Sequence, residues 1–183
     1  MNALVSGLEG MEITGPVAAK LFVSSSTSDA DLFLIVRVFS PDMKEVVFQG
    51  AIDPHTPVAQ GWLRASHRKL DPERSLPFRP YHAHDEVQPL SDGEVAELDI
   101  EIWPTSIVVP AGYRVALTVR GKDYEYGGPS GGRLSNFKNE LKGCGPFLHD
   151  DPIDRPSEIF AGVTTLHSGG RHANYVLLPI IPR

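Results

Sequence analysis

The segment EVAELDIEIW (residues 94–103) sets apolar Val95, Leu98, Ile100 and Ile102 against acidic Glu97, Asp99 and Glu101. From Glu97 onward this is period-two alternation, the pattern of an antiparallel strand with one face in a core and the other in water. Six further segments carry the same β-branched and aromatic bias: AAKLFVSSS (18–26), DLFLIVRVFS (31–40), KEVVFQGAI (44–52), YRVALTVRG (113–121), IFAGVTTLH (159–167) and NYVLLPII (174–181). Turn clusters stand among them at SPDMK (40–44), SDG (91–93), VPAG (109–112) and SGGR (168–171), placing Pro, Gly or Asp where a chain reverses. Helical spacing occurs in RLSNFKNELKG (133–143), with Leu134, Phe137 and Leu141 on one face and Gly143 as a C-cap. One short helix cannot cover a parallel sheet. The expected fold is therefore all-β, a sandwich or barrel of short antiparallel strands.

A chain of 183 residues is long enough to bury a core without disulfides, and its single cysteine, Cys144, cannot close one internally. The long connection SHRKLDPERSLPFRPYHAHDEVQPLSDG (66–93) is rich in proline, yet its Leu76, Phe78 and Tyr81 are too apolar for a free linker. It is expected to pack on this sandwich or on a neighbouring domain. The formal charge of −6, with no basic run beyond pairs such as Arg68-Lys69, argues against nucleic acid and anionic membranes as partners. No apolar stretch approaches a membrane span, and the first residues lack the basic and apolar regions of a signal peptide. A cytoplasmic location is the expectation.

Three motifs raise chemistry. GPSGG (128–132) matches the G-x-S-x-G pattern of a nucleophile elbow, but that elbow needs a strand running straight into the turn and a helix after it. Here DYEYGG intervenes, Pro129 lacks an N–H, and no Asp-then-His pair follows in a base-and-orienter arrangement, so Ser130 is read as a loop residue. His82 and His84 in YHAHDE lie at i and i+2, where they share a face of an extended segment, but two imidazoles lack the third protein ligand that a catalytic zinc needs. No metal or cofactor is expected. Asp154 and Arg155 in FLHDDPIDRP read as turn formers, and Trp62 and Trp103 as core or interface anchors unless both prove exposed.

The runs EITGPVAAKLFVSSSTSDADLFLIVRVFSPD, GWLRASHRKLD, LSDGEVAELDIEIWPTSIVVPAGYRVALTVRGKDYEY and LHSGGRHANYVLLPIIP resemble the C-terminal domain of serine hydrolases of the cocaine-esterase and Xaa-Pro dipeptidyl-peptidase type. The resemblance covers residues 11–183 and leaves 1–10 as a linker remnant. It implies a jelly-roll β-sandwich, galactose-binding-domain-like in shape. It also implies an α/β-hydrolase domain as partner, which carries the Ser, Asp and His of the triad and is absent from this sequence. No catalytic residue carries over. The expected role is to pack on the hydrolase domain and help shape its substrate pocket. The surface for this is expected at Trp62, Arg64, His67, Arg68, Tyr81 and His82, with Lys122, Asp123, Tyr124 and Tyr126 of the KDYEY segment. Separated from that partner, the domain is expected to cover the patch as a homo-oligomer. A carbohydrate or small-ligand binding module is the alternative.

Overall fold

The computed structural model describes residues 2–5, 9–50, 52–128, 141–146 and 148–182. Two antiparallel sheets pack face to face. The first has the order β1 (Asn2–Val5), β7 (Arg114–Arg120), β3 (Asp31–Phe39), with β4 (Glu45–Val46) and β5 (Ala59–Arg64) sharing the other edge of β3. In the second, β2 (Met11–Ser25) pairs along one edge with β6 (Ala96–Val109) and along the other with β8 (Thr164–His167), β9 (Tyr175–Leu177) and β10 (Ile180–Ile181). Alternate residues of these strands supply the core: Leu32, Leu34, Val36 and Val38 from β3, Leu98, Ile100 and Ile102 from β6, and Val17, Ala19, Leu21 and Val23 from β2. Burying each of the larger side chains contributes about 1.5–3 kcal/mol. This is the all-β sandwich that the alternation predicts, and Glu97, Asp99 and Glu101 keep to the outer face of β6 as expected.

Where Val17 pairs with Ile102 and Gly15 with Thr105, one residue of β2, Pro16, opposes two of β6, Trp103 and Pro104. Neither proline has an N–H to give to the ladder, so a bulge is the place where a strand tolerates both. The bulge resets the alternation. Ile102 and Thr105 point inward, while Trp103 is thrown out to 63% exposure. At Gly61 of β5 the two sheets almost touch: a β-carbon there would lie 2.2 Å from the Glu101 carbonyl oxygen.

Several elements differ from the sequence expectation. Asn2–Val5, assigned to a linker remnant, forms β1 and pairs with Val115–Thr118 of β7. The segment 44–52 yields only the two residues of β4, followed by an isolated bridge from Phe48 to Thr56. β5 was not anticipated, because AQGWLR lacks a β-branched run. SGGR forms the expected turn, closed by Gly169 and His172, which exchange backbone bonds at 3.1 and 3.0 Å. The detour nevertheless returns to the same edge: β8, β9 and β10 follow one another along β2, and Pro179 divides the last two. The one described α-helix, α1 (Ser157–Phe160), takes the start of an expected strand. Residues 133–140 of the expected helix lie outside the described residues, and Leu141–Gly143 are not helical.

The proline-rich excursion packs on this sandwich. Ser66 N–H bonds the Asp29 carboxylate at 2.9 Å, Leu90 N–H bonds the Ser28 carbonyl at 2.8 Å, and Leu90 is buried. His82 covers the outer edge of β6, its Nε2 standing 3.0 Å from the Asp99 carbonyl oxygen. Among the described residues no helix is long and apolar enough to cross a membrane.

Candidate functional site

Outside the first sheet lies a second, smaller apolar cluster. Phe33 and Ile35, on the outward face of β3, are covered by Tyr124, with Trp62 and Tyr126 packed against them. Tyr124 is held by its hydroxyl, which donates to Glu45 at 2.8 Å, and Glu45 also receives two bonds from Arg37. Burial, and then the Glu45 bond, push the Tyr124 hydroxyl well above the ordinary phenol range. Asp53 ties down the neighbouring loops. Its buried carboxylate accepts the backbone N–H of His55, Gly143 and Gly145 at 2.8–2.9 Å. Gly143 takes φ 118°, which a side chain would strain, and a β-carbon there would strike the Tyr124 ring.

Beside this cluster opens a cavity of about 530 Å³. Phe33 and Trp62, cross-strand neighbours, form part of its wall, with Glu101 and Trp103 from β6, His149, and the excursion's His67, His82 and His84. The bulge brings Trp103 to Trp62, ring centroids 5.0 Å apart and nearly perpendicular, the edge-to-face arrangement that aromatic quadrupoles favour. His149 is oriented by buried Asp123, whose carboxylate accepts its backbone N–H at 2.7 Å and contacts its Nδ1 at 2.9 Å.

A charge knot closes one end of the cavity. Asp31 accepts two bonds from Arg64, at 2.8 and 3.0 Å, and one from Arg155 at 2.8 Å. Arg64 reaches on to Asp154 at 3.0 Å and lies over the Phe160 ring of α1, 4.4 Å from its centroid. The Asp31 bonds hold the Arg64 guanidinium firmly protonated, and Arg64 holds the Asp154 carboxyl below the usual range. These cations are already paired, so they order the wall.

Four of the ten residues proposed from sequence, Trp62, Arg64, His67 and His82, line this one cavity. Asp123 acts on it through His149. The other five serve the domain's own packing or face elsewhere. Arg68 is directed inward to the carbonyls of Ala65 and Gln88 and to Glu94. Tyr81 lies beneath Arg74, Lys122 pairs with Glu125, Tyr126 stacks on His55 at 4.1 Å, and Tyr124 is buried. Sequence reasoning named Trp103, Asp154 and Arg155 without placing them here, and it did not single out Asp31 or Glu101. The Trp103-Pro104 dipeptide inside an alternating strand was the available signal, because a proline there demands a bulge. Ser130 and most of GPSGG lie outside the described residues.

Fold and cavity together define a β-sandwich module that presents an aromatic and histidine-rich surface. Residues 9–177 match the family described as the X-Pro dipeptidyl-peptidase C-terminal non-catalytic domain, and the chain belongs to that family. It is 33% identical over 161 residues to a putative serine esterase of Mycobacterium bovis, covering 80% of this chain and 22% of that protein. It is 27% identical over 174 residues to the cocaine esterase of a Rhodococcus species, covering 94% and 24%. The fold is shared with a CocE/NonD family hydrolase of Staphylococcus aureus, with a TM-score of 0.82, 24% identity, and coverage of 100% of this chain and 30% of that one. The chain thus spans about a quarter of the length of the curated relatives it matches.

Proposed function

We propose that this non-catalytic domain docks on an α/β-hydrolase domain through the cavity face and helps wall the substrate pocket of an ester or Xaa-Pro peptide hydrolase. The observation that carries this reading is the exposure of large apolar side chains around a rigid charged frame. Trp103 is exposed beside the cavity, and Leu148 and Ile153, next to its His149 and Asp154, stand 53% and 90% exposed. Interfaces are anchored by such aromatics in a pocket, and an ordered rim costs little entropy on docking. The contribution to the reaction is then exclusion of water and positioning of substrate, with bond-making left to the hydrolase domain. The same face is the surface through which the domain alone would self-associate.

The test is to mix the chain with a CocE/NonD-type hydrolase domain lacking its own C-terminal module. Sedimentation velocity and the hydrolysis of p-nitrophenyl acetate are then followed. A one-to-one complex with raised activity, both lost in Trp62→Ala/Trp103→Ala, is the expected result. Absence of a complex at tens of micromolar overturns the reading. A sugar-stacking site is the weaker reading, because Trp62 is half-buried against the Phe33 cluster and meets Trp103 edge-to-face, so the two rings share no stacking platform. Saturable quenching of their fluorescence by an oligosaccharide series without hydrolase would support it.

A further inference from the structure

We propose that His67, His82 and His84 form a binding site for a divalent transition-metal ion, of the zinc, cobalt or nickel class. The preformed element is the His67–His84 pair, whose Nδ1 atoms lie 3.2 Å apart. Two nitrogen ligands at zinc distances and a tetrahedral angle stand about 3.3 Å apart, so the pair already has the bite of a chelate. Loading requires that the ring donating in this contact carry its proton on Nε2 and that both rings turn their Nδ1 lone pairs toward a common point.

His82 has the electronic state of a ligand. The Asp99 carbonyl can only accept, so His82 Nε2 donates to it, and in the neutral ring Nδ1 then holds the free lone pair. A backbone carbonyl behind one ring nitrogen is the outer-shell contact that orients ligating histidines. Burial, and in smaller part the positive potential of its neighbours His84 and His67, favour the neutral His82 ring. Its centroid is 6.1 Å from that of His84, against 5.4 Å between His84 and His67. Among the described residues no three ligating side chains already surround one point. Closing the set therefore needs the His82 ring to approach the pair, while His84, an exposed residue with φ 53°, supplies the adaptable ligand.

All three rings border the cavity, which leaves the remaining coordination positions to water or to an oxygen ligand from the cavity side, where Glu101 stands. Imidazole donors select zinc, nickel and copper over calcium and magnesium.

The experiment uses the chain without a polyhistidine tag, stripped with EDTA and dialysed. CoCl₂ is titrated while visible absorbance is recorded, and ZnCl₂ is titrated by calorimetry. One equivalent of each ion is expected, with Co²⁺ giving d–d bands displaced by Zn²⁺. His67→Gln, His82→Gln and His84→Ala should each weaken binding at least tenfold, while His172→Ala binds as the parent does. Thermal melts confirm that each variant is folded; His84→Ala, at an exposed position, keeps the test valid if a half-buried variant unfolds. No titratable signal, or parental affinity in any folded variant of the three, overturns the assignment.

Discussion

Removal of the Asp31 carboxylate tests whether the charge knot stabilises the domain. Asp31 accepts three bonds from two guanidinium groups, and its side chain is only 10% exposed. Hydrogen bonds to charged groups contribute about 1.5–3 kcal/mol each when made in isolation. Both arginines keep other partners after the substitution: Arg64 retains Asp154, and Arg155 retains the carbonyls of Gly121 and His149. Arg64 is also a quarter exposed, so water repairs part of its loss. The net cost of Asp31→Ala is then about 2–3 kcal/mol, below the value for stranding a fully buried charge. At about 2–4 °C per kcal/mol for a domain of this size, Tm should fall by about 5–10 °C. Urea unfolding followed by circular dichroism measures the change directly, with an unaltered slope showing that only stability has moved. Asp154→Ala is the control. Its carboxylate is 63% exposed, and such pairs contribute about 0–1 kcal/mol. If Asp31→Ala costs less than about 0.5 kcal/mol, or Asp154→Ala costs as much, burial is not what makes this knot count.

Gly61→Ala drives a methyl into the Glu101 carbonyl at 2.2 Å, and soluble expression or the urea midpoint should fall by more than the 1–3 kcal/mol or so typical of overpacking. Asp53→Ala strands three backbone N–H groups and should cost about 2–3 kcal/mol, with faster proteolysis in the loops around Gly143 and Gly145 as a second readout. His82 has a folded-state pKa below its ordinary 6.5, so the unfolded chain binds the proton first. Stability should therefore decline as pH falls below about 6.5, and His82→Gln should flatten that limb in melts between pH 7 and pH 5.

Much of the sandwich was legible because one-sided burial writes itself as alternation: Leu98, Ile100 and Ile102 against Glu97, Asp99 and Glu101 leave little choice of face. The long strands were read too short for a physical reason. Pro16 and Pro104 look like strand breakers one at a time, and only their opposition across a bulge lets β2 and β6 run on. SGGR was legible as a turn, and Gly169 and His172 close it, but a local turn does not reveal that the chain comes back to the same edge of β2. For the candidate site, choice by residue type included Trp62, Arg64, His67 and His82, which line one cavity. It could not separate an Arg that lines a cavity from Arg68, which turns inward to cap carbonyls. Asp31 gave no signal, since a single acid at the start of a strand reads as a solvated end; its meaning comes from Arg64 and Arg155, 33 and 124 positions away.

The arrangement of β8, β9 and β10 along a single edge of β2 has a consequence for the order in which the domain can be made. Ser24 and His167 meet across that edge although they are 143 positions apart. During synthesis β2 emerges early and can pair with β6 once that strand follows, but its other edge waits for the last twenty residues. Until they leave the ribosome, up to 15 residues of an apolar strand present unpaired backbone groups. A nascent chain stalled near residue 160 is therefore the species in which intermolecular strand pairing is expected, and the run LHSGGRHANYVLLPII serves as an intramolecular cover that follows the other strands of this domain.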